Sequence, residues 1–421
     1  MRHGPVRAHW SPHRIIPVVA DILASGIRSG SQLAGQRAIA YKAAAPDAHA
    51  RLSRADTRSV IDLPAILRHV VEQGASDLHL KVGSPPRVRV NGDLRVSPFP
   101  PVGPEECEEL VALVVPPERL QEFKATGEAD FSLSMSGLGR FRCNAFRQRG
   151  TPGLVLRRVL PSALSAADLG LPAVVTRLAE EQRGLVLVTG PTGSGKTTTL
   201  AAMIDHINTS RAACIITIED PIEVLHRDKM SIISQREIGT DTKDWSQAMR
   251  RVLRQDPDVI LIGEMRDPET VQAALAAGET GHLVLSTLHT TNATETVNRI
   301  IDFFPPHQQR QARVSLASVL RGVVSQRLVA RADGIGRCVA VEAMVMTGRI
   351  ADRILDPSGG SGETIEDVIA DGEFHGMVTF DQSLFNLFKA GEISLRAALQ
   401  AATNPHDFRV ALQTAGLLPA V

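Results

Sequence analysis

Two rhythms of apolar residues divide this chain. Before about residue 160 apolar positions tend to alternate with polar ones, and from about 173 they gather into short continuous runs separated by helical stretches. In the first part Asp62, Leu63 and Pro64 open a helix, with Asp62 as cap and proline in the first turn, where its missing N–H costs nothing. Residues 76–81 alternate as a strand. Residues 87–90 and 94–96 flank an Asn91-Gly92 pair, which predicts a tight hairpin because both turn residues tolerate positive φ. Residues 139–146 and 154–159 are two more alternating runs, with arginines along one face. A small α+β domain over 58–160 follows, without a catalytic constellation of its own, and 161–172 reads as linker.

In the second part residues 184–189 form an uninterrupted apolar run, as a parallel strand buried on both faces requires. The pattern returns at 214–218, 258–264 and 283–287, with helices between. Alternating strands and helices predict a mostly parallel sheet covered on both faces, an α/β domain over 173–350. Each run ends in polar residues, and open parallel sheets place their ligands at those carboxyl ends. From about 306 onward the chain reads as helical. A Gly/Ser-rich break at 356–363 falls inside a helical C-terminal region over 351–421. Ahead of the first domain, residues 1–57 show no sustained period and read as a mostly disordered leader with a short helix near 15–28.

Composition narrows the setting. The 421 residues are 43% hydrophobic and 22% charged, which describes a globular protein of two or three domains. Lys+Arg and Asp+Glu are both 46, so no global field favours nucleic acid, and no stable nucleic-acid binding is expected. Eight basic residues against two acidic ones in 1–55 give that leader +6, enough for peripheral contact with anionic lipid. Cys107, Cys143, Cys214 and Cys338 stand too far apart for a zinc module or a disulfide framework, which points to a reducing cytosol. No apolar run is long enough to span a bilayer. A cytoplasmic location is expected, with any membrane work done from the cytoplasmic face of the plasma membrane.

The chemistry concentrates after the first apolar run. Gly190, Pro191, Thr192, Gly193, Ser194, Gly195, Lys196 and Thr197 match the phosphate-loop pattern G-x-x-x-x-G-K-[ST] at every fixed position, and Thr198 continues into a helix. Strand, glycine turn and helix start aim backbone N–H groups and a positive dipole end at one spot, where a polyphosphate would sit. Lys196 is expected on the β- and γ-phosphates of ATP and Thr197 on Mg²⁺. Glu264 ends the third apolar run, 68 residues after Lys196, where a carboxylate that activates water and helps hold Mg²⁺ belongs. Glu219, at the tip of the second, is a further candidate for positioning water.

These segments resemble the secretion and pilus ATPases, and within them the PilT-type retraction motors of type IV pili. The resemblance rests on the phosphate loop, the acidic box 218–223, the segment 253–267 and the His box running from 278–282 to 287–290. It implies homo-hexameric rings in which a PAS-like N-terminal domain packs on a RecA-like ATPase domain with ATP between them, acting on an inner-membrane pilus platform protein. It further implies Glu264 as catalytic base, Glu219 as its partner and His289 as a γ-phosphate sensor, with His282 as a second one. Arg142 and Arg157 would reach the triphosphate from the N-terminal domain, and Arg299 would touch a neighbouring subunit. Assembly motors of the same superfamily carry a four-cysteine module after the His box, and 289–331 contains no cysteine, which favours retraction. The segment 348–356 keeps only the outline of the helix that retraction motors carry. Three alternatives remain open at this point: an assembly or secretion ATPase, a nucleic-acid translocase, and a ring subunit that only binds nucleotide.

Overall fold

The computed structural model describes residues 61–90, 92–159, 162–357 and 362–419. The leader over 1–57, Asn91, the start of the linker and the middle of the 356–363 break lie outside the described residues.

Helix α1 (Leu63–Glu72) starts where expected: the Asp62 carboxylate accepts from the Ala65 N–H at 2.9 Å, and Leu63, Ile66, Leu67 and Val70 form its buried stripe. Strands β1 (Asp77–Lys81), β2 (Arg87–Val90) and β3 (Asp93–Val96) follow, then helices α2 (Pro104–Val114) and α3 (Pro117–Thr126), and strands β4 (Glu128–Met135), β5 (Gly139–Gln148) and β6 (Thr151–Arg158). All six strands join one antiparallel sheet in the order β3-β2-β1-β6-β5-β4. Ala129, Phe131, Leu133, Phe141, Cys143 and Leu156 put one face of this first sheet into a core with α1 and α2. Period-two alternation sends Arg140 and Arg142 to the other face, where the register sets Arg142 opposite Arg157.

The second half forms α4 (Ala173–Ala179), β7 (Gly184–Thr189), α5 (Lys196–Ser210), β8 (Cys214–Glu219), β9 (Ile232–Glu237), α6 (Trp245–Val252), β10 (Val259–Ile262), α7 (Pro268–Glu279), β11 (Leu283–Leu288), α8 (Ala293–Asp302), α9 (Gln309–Val319), β12 (Leu320–Ala330) and β13 (Arg337–Val345). The second sheet has the order β13-β12-β7-β11-β10-β8-β9, and every neighbouring pair is parallel except β12 with β13. Its two faces are both dry. Leu185, Leu187, Ile216, Ile260 and Val284 meet α6 to α9, whereas Val186, Val188, Ile215, Leu261 and Leu285 meet α4 and α5. No helix among the described residues is long and apolar enough to cross a membrane.

The expectation of helix from 306 onward is corrected here. Helix α9 runs without a glycine or proline break into β12, whose partners β7 and β13 are remote in sequence or still to come. Local pattern therefore carried no stop signal, and the β-branched residues Val323, Val324 and Val341 are the trace of the strands. Helices do take over after β13: α10 (Gly348–Leu355), α11 (Ile365–Ala370), α12 (Phe380–Lys389), α13 (Leu395–Ala401) and α14 (Pro405–Thr414). The last three bury Phe380, Leu384, Phe408 and Leu412 against Val329 and Ala340 on the outer ends of β12 and β13.

One buried carboxyl in this frame is out of the ordinary. Glu342 on β13 is 5% exposed and accepts the Ala293 N–H at the start of α8 at 2.7 Å. Burial pushes its pKa up to about 7, against the help of that N–H, with Arg327, Glu366 and Asp381 as the other charges facing it. The folded chain thus holds this proton to a higher pH than the unfolded chain does. Stability is lost as pH rises between the ordinary carboxylate value and about 7, and the full cost of the buried charge is present above that. Glu342→Gln keeps the acceptor oxygen and removes the charge. Its thermal midpoint should match the parent near pH 4.5 and exceed it at pH 8, by on the order of 3 kcal/mol of stability. Circular-dichroism melts at the two pH values check this.

Candidate active site

The loop after β7 is shaped by backbone conformations that side chains resist. Gly190 has φ +141°, and a Cβ there would stand 2.5 Å from both the Gln326 carbonyl and the Ser194 hydroxyl. Gly195, at φ +96°, begins α5 without any side-chain cap, so the first N–H groups of that helix face the cleft. The Ser194 hydroxyl is buried with no partner. Lys196 is 9% exposed, and its Nζ turns back onto the Gly190 carbonyl at 2.7 Å and the Pro191 carbonyl at 3.1 Å. Burial lowers its pKa, partly opposed by Glu264 and Glu223. A buried ammonium, an unpartnered buried hydroxyl and an uncapped helix start converge on one spot and together suit an anion with several oxygens.

The carboxyl ends of the neighbouring strands supply the opposite wall. Glu264 follows β10 and is gripped twice: Arg266 Nη2 donates to Oε2 at 2.8 Å and His289 Nε2 lies 3.0 Å from Oε1. His289 Nδ1 is 3.4 Å from Lys196 Nζ. Lysine only donates, so Nδ1 accepts, and the imidazole proton sits on Nε2, from which it donates to Glu264. Burial alone would raise the Glu264 carboxyl, but the Arg266 hydrogen bond and the His289 and Arg266 side chains outweigh it and hold the group below the usual range. Glu219, ending β8, is in the opposite state. Burial pushes its carboxyl up, although Thr217 Oγ1 donates to it at 2.6 Å and Gln235 Nε2 at 3.1 Å. Two carboxyls at one cleft are thus set to titrate apart.

Thr192, Gly193, Gly195, Lys196, Thr197, Thr198, Glu219, Glu264 and His289 line one cleft of about 700 Å³, with Gly190, Pro191 and Ser194 forming the loop beneath. Another cavity, of about 770 Å³, sits among the C-terminal helices, but its charged lining is Glu373, Asp381 and Asp407, which would repel a polyphosphate. His282, Arg142 and Arg157, expected at the nucleotide, are not at the cleft within one chain, and neither is Arg299, expected at a subunit contact. His282 precedes β11, so a six-residue strand, roughly 20 Å, separates it from His289 at the far end. There its Nδ1 bonds the Ala277 carbonyl and the Thr280 hydroxyl, a helix-end role. Arg142 and Arg157 share a face of the first sheet, and Arg157 is held by Asp77 at 2.7 Å. Arg299 stacks over Phe303 on α8. Conversely, Asp220, Glu223, His226, Trp245, Arg266 and Arg337 line the cleft without having been singled out. Asp220 and Glu223 had a usable signal in the acidic box 218–223, and Arg266 in its position two residues after Glu264.

The profile of the family described as "Type II/IV secretion system protein" matches residues 54–350. The chain belongs to that family. A relative from Pseudomonas aeruginosa named "Type IV pilus retractation ATPase PilT" is 42% identical over 348 residues, covering 83% of this chain and all of the relative. A "Twitching motility protein" from Neisseria gonorrhoeae is 43% identical over 319 residues, covering 76% of this chain and 84% of the relative. A solved structure titled "Crystal Structure of the Pilus Retraction Motor PilT and Bound ADP" aligns with a TM-score of 0.76 at 43% identity, over 82% of this chain and 98% of the other. The chain is therefore a PilT-type member of the type II/IV secretion ATPases.

Gly190 offers a sharp check of the cradle in this ATPase. Gly190→Ala has to displace the Gln326 carbonyl or the Ser194 hydroxyl at a φ that alanine avoids. Nucleotide affinity, read with a fluorescent ATP analogue, should fall by about two orders of magnitude, a loss of about 3 kcal/mol.

Proposed function

We propose that this chain is the subunit of a homo-hexameric motor that hydrolyses ATP to retract a type IV pilus, working on a membrane platform protein from the cytoplasmic face. The observation that carries the reading is the unbroken line Lys196, His289, Glu264, Arg266, which runs from the phosphate loop to the sheet edge through contacts of 3.4, 3.0 and 2.8 Å. Lys196 leaves the loop carbonyls for the β- and γ-phosphates when they arrive. Glu264, already ionised, takes the proton of the attacking water, while His289 keeps Glu264 oriented through its Nε2–H and senses the γ-phosphate by way of Lys196, from whose ammonium its Nδ1 accepts. Glu219, the more easily protonated carboxyl, positions that water.

Mg²⁺ fits this donor set. Among the described residues no group of three or more acidic, His or Cys side chains could hold a metal ion by itself, and Mg²⁺ customarily takes one or two protein oxygens plus substrate phosphates. Thr197 and Glu264 are the oxygens at hand, and the ion would neutralise charge on the phosphates. The functional division we adopt is an N-terminal domain over 58–160, a linker over 161–172, an ATPase domain over 173–350 and a helical region over 351–421. Arg142 and Arg157 serve as charge-neutralising arginines that engage only when the arginine face turns toward a triphosphate.

Glu264→Gln should leave nucleotide affinity within about twofold and lower turnover at least about 100-fold, whereas Lys196→Ala should lose both. Persistent phosphate release by Glu264→Gln in a coupled assay would defeat the assignment. The pH profile separates the two carboxyls. Glu264, held low, stays ionised through any acid limb above the ordinary glutamate value, so that limb belongs to Glu219, whose pKa is raised. In Glu219→Gln the limb should vanish while the plateau drops. At the cell level, a strain lacking this chain should bear static, unretracted fibres, and a bald strain would indicate assembly instead.

A further inference from the structure

Glu237, the last residue of β9, is 4% exposed and touches three parts of the molecule at once. From the first sheet, Ser132 Oγ donates to Oε1 at 2.7 Å and Arg140 Nη2 to Oε2 at 3.1 Å. From the loop after Glu219, the Ile222 N–H donates to the same Oε2 at 3.1 Å. From its own turn, Thr240 Oγ1 donates to Oε1 at 3.2 Å. Burial would raise this carboxyl, but the Ser132 and Arg140 contacts and the Ile222 N–H overrule it, so it stays charged. Two residues earlier on the same strand, Gln235 holds the Glu219 carboxylate itself. Glu219 and Glu237 are also direct partners in the β8–β9 ladder.

We propose that Glu237 is a positioning residue that couples the first sheet to the Glu219 loop, so that motion of the arginine face is passed to the nucleotide cleft. The inference rests on the ATPase reading above and adds a route for its mechanical output. Arg140 lies two residues before Arg142 on one face of β5, so the strand that presents Arg142 is the strand anchored by Glu237. A carboxylate shared between Arg140 and the Ile222 N–H cannot shift toward one without loosening the other. The Arg140 Nε is buried with no partner, which marks a contact suited to being remade during a cycle more than a permanent one.

The test alters Arg140 and Ser132 and leaves Glu237 and the cleft intact, in the full chain. Arg140→Ala should lower kcat about tenfold with KM for ATP within about twofold, because the loss is one of positioning and not of binding. Arg140→Lys, which keeps a donor, should recover at least half of the parent rate, and Ser132→Ala should fall between. Hydrogen exchange with and without a non-hydrolysable ATP analogue and Mg²⁺ supplies the second readout. The parent should show nucleotide-dependent protection of residues 128–146, and in Arg140→Ala that protection should drop to less than about a third. Parent-like kcat and protection in Arg140→Ala would overturn the coupling, and so would a lowered melting temperature with the exchange response intact, since that is a structural contact alone. Failure of the ATPase reading would appear separately, as turnover that survives Glu264→Gln.

Discussion

The parallel register of β7, β8, β10 and β11 is the constraint on which the site depends. The ladder pairs Thr189 with Leu288, Ile262 with Ser286, and Ile262 with Ile218. Lys196, Glu219, Glu264 and His289, spread over 94 positions, therefore arrive at a single edge without any of them specifying the others. Both faces of this sheet are dry, so a one-residue slip would exchange the side chains that meet α5 with those that meet α7 and α8. Packing on two sides thus locks the alignment that the chemistry uses.

On that edge the charges alternate in sign, and the order has consequences for protonation. Lys196 approaches His289 from one side and Arg266 approaches Glu264 from the other, so the carboxylate is held between a guanidinium and an imidazole N–H. Glu219 lies outside this line with neutral donors, Thr217, Gln235 and the Glu223 N–H, and burial, helped by the Glu223 charge, dominates it. Environment alone therefore separates two otherwise equivalent carboxyls into one that holds a negative charge and one ready to exchange a proton.

What the sequence disclosed follows the range of the interactions. The phosphate loop and Glu264 were legible because a glycine turn and an apolar strand are local statements, complete within about ten residues. Strands β12 and β13 were not, since their pairing is set by β7 far upstream and the helix before them carries no terminator. His282 illustrates a subtler failure. Its nearness in sequence to His289 says nothing about which end of β11 each occupies, and the two fall at opposite ends. Arg142 and Arg157 were read onto the correct common face, but no pattern could reveal that Asp77 holds Arg157. Glu237 left no signal either, because its three sets of partners lie on different elements.

Asp77 in turn limits how the arginine face can work. It is 4% exposed, and any swing of Arg157 toward a phosphate has to abandon it, a step that would strand a buried charge if nothing replaced the guanidinium. The neighbours prevent that. Ser76 Oγ donates to Oδ2 at 2.7 Å, and Arg89 Nε waits 4.0 Å from the same oxygen on the adjacent strand, opposite Asp77 in the β1–β2 register. The carboxylate therefore keeps a hydrogen bond and a nearby cation when Arg157 departs, and the exchange costs far less than breaking an isolated buried pair. Arg157 is itself largely exposed, with 68% of its side chain in solvent, so little packing resists the move. Such an ion pair, with a substitute cation beside it, would suit the alternation between two anions proposed for Arg157.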